Sequence, residues 1–193
     1  MNAEKITGVI LAGGKNSRMG TDKGLLVVRG KKIIDRILDT LKPNVNDIII
    51  ISNGNNYSNL GYKVYADIIK DCGPLGGIHT ALTFSRTKKN LVISCDMPFL
   101  NEKILKFIIA DSDDCDVALP VHDNRTEPLC AVYDSICTDK FSELLSKNQL
   151  KMQDALKEFK VKKININKTD FDSNCFTNIN TKEELVKINS DTT

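Results

Sequence analysis

The strongest constraint on the fold of this 193-residue chain is a set of short apolar runs, each cut off by glycine, asparagine or aspartate. Ile6–Ala12 is stopped by Gly13-Gly14, Ile48–Ser52 by Asn53-Gly54-Asn55-Asn56, and Leu91–Cys95 by Asp96-Met97-Pro98. Runs of this length, rich in β-branched residues and closed by turn formers, predict buried strands. Tyr62–Ala66 is a shorter run that ends on Asp67, and Leu25–Val28 predicts a brief strand closed by Arg29-Gly30.

Between these runs the apolar period changes to that of a helix. Ile33, Ile34, Ile37, Leu38 and Leu41 recur at helical spacing and stop at Pro43. A loop over Asp67–Gly77 leads into a helix from Ile78 to about Ser85, and Ile104, Leu105, Ile108 and Ile109 mark another. Asp116–Pro120 and Pro128–Tyr133 predict two strands joined by a polar loop. Two amphipathic segments follow, one carrying Phe141, Leu144 and Leu145, the other Met152, Ala155, Leu156 and Phe159. Val161–Ile166 and Cys175–Asn178 read as late strands, and Thr181–Ile188 as a helix capped by Thr181 and Glu184. This alternation predicts an α/β fold, a single-domain Rossmann-like three-layer sandwich with a mostly parallel central sheet. Residues 1–193 are expected to form that one domain, with 189–193 a loose tail. Ligands of such folds bind beyond the carboxyl ends of the strands, so Gly13-Gly14, Ser52-Asn53, Asp67 and Asp96 belong together in the reading.

Composition excludes several classes of function. A net charge of +2, with basic residues spread along the chain, argues against a nucleic-acid partner or a polybasic membrane patch. No apolar stretch reaches membrane-spanning length, and no apolar segment of a secretory signal follows the N-terminal charges, so a cytoplasmic protein with no membrane partner is expected. None of the six cysteines forms a C-x-x-C pair, which points to buried reduced thiols.

The chemistry is concentrated in the stretch Leu11-Ala12-Gly13-Gly14-Lys15-Asn16-Ser17-Arg18-Met19-Gly20-Thr21-Asp22-Lys23. It fits neither G-x-x-x-x-G-K-[ST] nor G-x-G-x-x-G. Its glycines let backbone N–H groups approach an anion, Arg18 can clamp a phosphate bidentately, and Lys23 can act as a point charge. A tight strand–helix turn with solvated basic side chains is the alternative. Asp96, delivered to a strand end by a buried run, suits Mg²⁺, a hard cation that shares its oxygen ligands with substrate phosphates. A cap on the next turn is the competing role.

Taken whole, L-A-G-G-x-x-x-R-M-G-x-x-K resembles the signature loop of nucleotidyltransferases, and more closely that of the molybdenum cofactor guanylyltransferase family. Further matches follow in order: Lys23-Gly24-Leu25-Leu26, Val64-Tyr65-Ala66-Asp67, Gly73-Pro74-Leu75-Gly76-Gly77-Ile78, Cys95-Asp96-Met97-Pro98, Glu127-Pro128-Leu129-Cys130-Ala131-Val132-Tyr133 and Phe176-Thr177-Asn178-Ile179-Asn180-Thr181. The resemblance runs from about Ile6 to Leu185.

The resemblance implies a fold of the nucleotide-diphospho-sugar transferase type and an enzyme that transfers GMP from GTP to the terminal phosphate of molybdopterin, with Mg²⁺ as cofactor. It implies Arg18, Lys23 and Asp96 as catalytic residues, and Asp96 as the metal ligand. Leu11, Ala12, Gly13, Lys23, Asn53, Asp67 and Asp96 would bind GTP, with Asp71 competing for the place of Asp67 and a turn-forming role open for Asn53. Gly73–Gly77 would lie against ribose or base, stiffened by Pro74. His122, Arg125, Asn178 and Asn180 would receive the pterin, against the alternative of a solvated hairpin at 122–125. Where the family often carries an arginine-rich segment, this chain has Lys147-Asn148-Gln149-Leu150-Lys151, which lacks a bidentate clamp. Delivery proteins for the molybdenum cofactor are the partners the resemblance adds.

Three rival classes remain in view. A cytidylyltransferase usually lacks the GPLxG segment, and a sugar-1-phosphate nucleotidyltransferase usually has a longer chain. A non-catalytic nucleotide-binding module would have no need of Arg18, Lys23 and Asp96 together. A nicotinamide-dependent oxidoreductase would need the dinucleotide fingerprint that this loop lacks.

Overall fold

The run Ile6–Leu11 forms the central strand β1, and all six of its residues are buried. The structure, a computed structural model, describes residues 5–12, 22–166, 171 and 173–190. The other strands in chain order are β2 (Val27–Val28), β3 (Lys31–Lys32), β4 (Asp47–Ile51), β5 (Lys63–Tyr65), β6 (Lys89–Ser94), β7 (Val117–His122), β8 (Arg125–Thr126), β9 (Cys130–Asp134) and β10 (Val161–Asn165). The helices are α1 (Ile33–Leu41), α2 (Gly73–Phe84), α3 (Glu102–Ala110), α4 (Cys137–Ser146), α5 (Met152–Ala155) and α6 (Lys182–Ser190).

The main sheet has the order β10-β7-β9-β6-β1-β4-β5, with β8 added against β7. β1 lies parallel to both neighbours, so that Val9 faces Ile49 of β4 on one edge and Val92 of β6 on the other. β5 continues this parallel set beyond β4. β9 is antiparallel to both β6 and β7, so β6 and β7 run the same way and end at the same rim of the sheet. The sheet is thus mixed but mostly parallel, as the alternation of elements predicts.

Side chains alternate across a strand, so each apolar run feeds two cores. Ile10, Ile50, Leu91 and Ile93 join Ile33, Ile34 and Ile37 of α1 and Ile104, Leu105 and Ile108 of α3 on one face. Val9, Leu11, Ile49, Ile51 and Val92 join Leu75, Ile78 and Leu82 of α2 and Phe141, Leu144 and Leu145 of α4 on the other. These two cores with the sheet between them form the three-layer sandwich. The Asn101 carboxamide caps α3 by accepting from the Ile104 N–H at 3.0 Å. A capping box starts α6, where Glu184 N–H donates to Thr181 Oγ1 and Thr181 N–H to Glu184 Oε2, both at 3.1 Å. Among the described residues no helix is long and apolar enough to cross a membrane. All six cysteines are free thiols, and only Cys115 is not fully buried.

Several elements differ from the sequence reading. The helix expected from Ile78 begins at Gly73, so the segment read as a loop forms the first turns of α2. Pro74 fits a first turn because its missing N–H is not needed there. The following glycines serve close packing rather than a turn. A Cβ on Gly76 would lie 2.9 Å from the Cys72 Cβ, and one on Gly77 would lie 3.2 Å from the Leu11 Cδ2. Of Leu25–Val28 only Val27–Val28 forms a strand, paired with β3 in a separate two-stranded ribbon. Lys23–Leu25 instead forms a short 3-10 turn. Cys175–Asn178 is not a strand either: Ser173–Phe176 forms a 3-10 turn, closed when the Thr177 N–H donates to the Asn174 carbonyl at 3.0 Å. That turn inserts Cys175 and Phe176 into the core. Asn189 and Ser190, read as the start of a tail, belong to α6, and the Asn189 carboxamide accepts from Arg29 N–H at 2.8 Å. Residues 191–193 lie outside the described residues.

The α4 face gives a direct test of this packing. Phe141 is fully buried, with ring centroids 6.0 Å from Tyr133 and 4.9 Å from Phe159. Phe141→Ala is expected to cost about 3–5 kcal/mol in urea unfolding. Val186→Ala on α6, where the side chain is 68% exposed, should change stability by less than about 0.5 kcal/mol.

Candidate active site

Because β1, β4, β5 and β6 are parallel, their carboxyl ends meet at one rim. Backbone bonds hold those ends together: Ala12 N–H donates to the Ile51 carbonyl at 2.9 Å, Ser52 N–H to Tyr65 at 2.9 Å, and Cys95 N–H to Leu11 at 3.0 Å. A cleft of about 580 Å³ opens there. Leu11, Ile51 and Leu129 give it apolar lining, and Ser52, Asn53, Asp67, Asp71, Ser94 and Asp96 give it polar lining. Gly73, Pro74 and Gly77 from the start of α2 complete it. The missing side chain at Gly77 lets the start of α2 pack closely on Leu11 beside Asp67, since a Cβ there would stand 3.2 Å from the Leu11 Cδ2 and 3.7 Å from Asp67 Oδ1.

At one end of the cleft lies an ion pair. Lys23 Nζ is 3.3 Å from Asp96 Oδ2 and donates to Asn180 Oδ1 at 2.6 Å. The Lys23 and Asp96 side chains are 16% and 18% exposed, so the pair is only partly solvated. Asp96 Oδ1 is buried and has no hydrogen-bond partner. A carboxylate oxygen left this way costs desolvation energy that a donor or cation would recover. Its hard oxygen fits a magnesium-like ion. Among the described residues no cluster of three acidic, histidine or cysteine ligands accompanies it. The neighbouring Cys95 thiol is pushed up to about 12, by burial first and then by the Asp96 and Asp22 carboxylates. It stays protonated and is not a nucleophile.

At the other end, Asn53 and Asp67 hold each other. Asn53 Nδ2 donates to Asp67 Oδ2 at 2.8 Å, and Asp67 N–H donates to Asn53 Oδ1 at 3.0 Å. Asp67 Oδ1 is buried without a partner, which leaves one acceptor for a ligand. Asp71 lines the same cleft with a left-handed backbone, φ 62°.

The residues read as a second-substrate site fall on the same rim. Ile179 N–H donates to the Asp96 carbonyl at 3.0 Å, which anchors the stretch carrying Asn178 and Asn180 beside Asp96. Asn178 Oδ1 is buried and unpartnered. His122 ends β7 opposite Arg125 of β8. Its ring is buried, stacked on Phe176 at 4.7 Å, with Nε2 2.9 Å from Glu127 Oε1. Arg125 is exposed. Gly13 and Arg18 lie outside the described residues.

Sequence reasoning missed Ser94, Leu129, Asp22, Tyr57 and the Glu127 partner of His122. Ser94 carried a signal, since it directly precedes Cys95-Asp96 in a strand that ends at the rim. The others are brought in by the tertiary fold.

Residues 8–162 match the family model described as a MobA-like NTP transferase domain. A probable molybdenum cofactor guanylyltransferase from Flavobacterium johnsoniae is 33% identical over 187 residues, covering 96% of this chain and 97% of that protein. One of the same name from Pelotomaculum thermopropionicum is 38% identical over 186 residues, covering 94% and 90%. The crystal structure of molybdopterin-guanine dinucleotide biosynthesis protein A from Archaeoglobus fulgidus superimposes with a TM-score of 0.80 at 25% identity, covering 96% of this chain and 97% of that one. The fold and the rim of polar strand ends are those of a nucleotidyltransferase. The chain belongs to the MobA-like NTP transferase family.

The Asn53–Asp67 contact makes a testable demand. Asn53→Asp sets two carboxylates against each other and is expected to destabilise the protein by about 1–3 kcal/mol at neutral pH. The loss should shrink as the pH falls from neutral into the acid range, because protonating one of two facing carboxylates removes their repulsion. Thermal unfolding of the variant across that range measures both.

Proposed function

We propose that this chain transfers GMP from GTP to the terminal phosphate of molybdopterin and releases pyrophosphate, using the cleft at the ends of β1, β4, β5 and β6. The observation that carries the reading is the Lys23–Asp96 pair with an unpartnered Asp96 oxygen, set at a strand-end cleft. The relatives named molybdenum cofactor guanylyltransferase, which match almost end to end, support guanine and the pterin as substrates.

The chemistry suits these side chains. A terminal phosphate has a second pKa of about 6, so the nucleophile is already largely ionised at neutral pH and needs no general base. The obstacle is repulsion between two anions, which positioning and positive charge overcome. Lys23 holds the triphosphate end of GTP together with Arg18, Asn53 and Asp67 hold the nucleoside end, and Leu11, Ala12 and Gly13 complete the GTP site. Asp96 is the residue that would hold Mg²⁺, and the bound ion would neutralise charge on the phosphate oxygens. Asn178 and Asn180, fixed beside Asp96, receive the pterin together with His122 and Arg125. The whole chain then acts as one nucleotidyltransferase domain. Its free thiols suit the reducing cytoplasm.

Two measurements test this reading. In thermal unfolding with Mg²⁺ and each of GTP, CTP, ATP and UTP, GTP is expected to stabilise most, by about 2.7 kcal/mol at 100 times its Kd. Equal shifts with all four, or a shift with CTP alone, would refute guanine as the base. Asp96→Ala is expected to abolish transfer while leaving the fold intact, as read by circular dichroism. Its Mn²⁺ binding in the presence of GTP, followed by electron paramagnetic resonance, should fall in parallel. Normal turnover in that variant would remove Asp96 from the metal site.

A further inference from the structure

We propose that Tyr57 and Asp22 are positioning residues for the transfer, setting the Lys23 ammonium against Asp96 from behind the turn that carries it. The inference rests on the reading of Lys23 as a triphosphate-binding residue.

Lys23 stands on the short 3-10 turn Lys23–Leu25, which has too few internal bonds to fix its own direction. The fixing comes from the preceding residue. Asp22 Oδ1 accepts from the Gly24 N–H at 3.1 Å and also from the Tyr57 hydroxyl, in a short contact. Asp22 Oδ2 accepts from Asn56 Nδ2 at 3.1 Å. One carboxylate thus ties the turn to the loop that follows β4. Tyr57 is fully buried in the core that also holds Ile50 of β4 and Ile34 of α1, so its hydroxyl is a fixed point. Burial, and then the bond to Asp22, push its pKa well above the ordinary tyrosine value. The hydroxyl therefore remains a donor at every pH at which the protein works.

The turn sits directly on that hydroxyl. A Cβ on Gly24 would stand 2.4 Å from the Tyr57 oxygen, closer than any real contact, so no side chain fits between them. Had Tyr57 served only to fill the core, phenylalanine would fill the same space without a buried hydroxyl to satisfy. The loop also reaches both ends of the cleft. It begins at Asn53, which is bonded to Asp67, and ends at Asn56 and Tyr57, which are bonded to Asp22. The nucleoside end and the phosphate end are therefore set by one short segment.

Tyr57→Phe tests the role, because it keeps the ring and removes the donor. Transfer from GTP is measured in wild type, Tyr57→Phe, Lys23→Ala and the double variant. Loss of the hydroxyl is expected to lower kcat/KM by about tenfold when Lys23 is present and by less than about twofold when it is absent. Equal losses in both backgrounds would show that the hydroxyl does not act through Lys23 and would overturn the proposal. Binding gives a second measure that does not depend on residual turnover. Tyr57→Phe should weaken GTP by about tenfold and leave guanosine, which lacks phosphates, unchanged. Equal weakening of both would also overturn it. Asn56→Ala, at an exposed position, removes the other side-chain donor to Asp22 and should show the same GTP-specific pattern at smaller size. A Lys23→Ala variant as active as wild type would remove Lys23 from the triphosphate site. That outcome is distinct from one in which Lys23 matters and Tyr57 acts independently of it.

Discussion

Everything in this structure depends on the burial of β1 with a parallel partner on each edge. A strand with all six residues buried cannot leave its N–H and C=O groups to water, so both edges must be paired. β4 and β6 meet that demand, and helices α1, α3, α2 and α4 cover the two faces. The consequence for function is geometric. Toward the carboxyl ends the strands are apolar, at Val9–Leu11, Ile48–Ile51 and Leu91–Ile93, and polar side chains are delivered where the strands stop. Parallel pairing makes three of them stop together, and β5 adds a fourth end that carries Asp67.

At that rim Asp67 and Asp96 are satisfied in the same incomplete way. Asp67 gives one oxygen to Asn53, and Asp96 gives one to Lys23. In each case the other oxygen is buried and unpartnered. Buried polar atoms are nearly always bonded, so two acceptors without partners among the described residues, lining one cleft, are the positions that the proposed nucleotide would complete. They also divide the cleft by chemistry. The Asp67 end carries a carboxylate hydrogen-bonded to an amide and suits hydrogen-bond donors on a nucleoside. The Asp96 end carries a cation and a carboxylate and suits phosphates with a metal ion.

How much of this was legible follows from how local each signal is. Strands such as Ile48–Ile51 and Leu91–Ser94 could be read because a buried strand declares itself over a few consecutive residues, and Asp96 inherits its place from the run before it. The start of α2 was hidden because Gly73-Pro74-Leu75-Gly76-Gly77 is turn composition, yet its glycines are there to let the helix approach Cys72 and Leu11. Ser173–Phe176 misled in the opposite sense: apolar residues that read as a strand are inserted into the core by a 3-10 turn. Asp22 stands in the loop read for its chemistry, but nothing local marked Tyr57 as its partner. They are 35 positions apart, and nothing in either neighbourhood announces the other. The same holds for Lys23 and Asp96, 73 apart, which only the family-wide pattern of motifs brought together in advance.

The placement of Lys23 also answers a problem that any phosphate site at a strand end must meet. A cation strong enough to hold a triphosphate must wait, without its ligand, in a partly buried position. An unpaired ammonium there would be costly. The pairing with Asp96 and Asn180 relieves that cost, but it leaves a flexible four-carbon side chain between two partners at 3.3 and 2.6 Å. Direction then has to come from the backbone that carries the lysine. Here the backbone is held by a carboxylate with three donors, one of them a hydroxyl locked in the core. With Lys23 in its proposed role, the rigidity of the sheet and its packed face would reach the phosphates through Tyr57, Asp22 and a single turn.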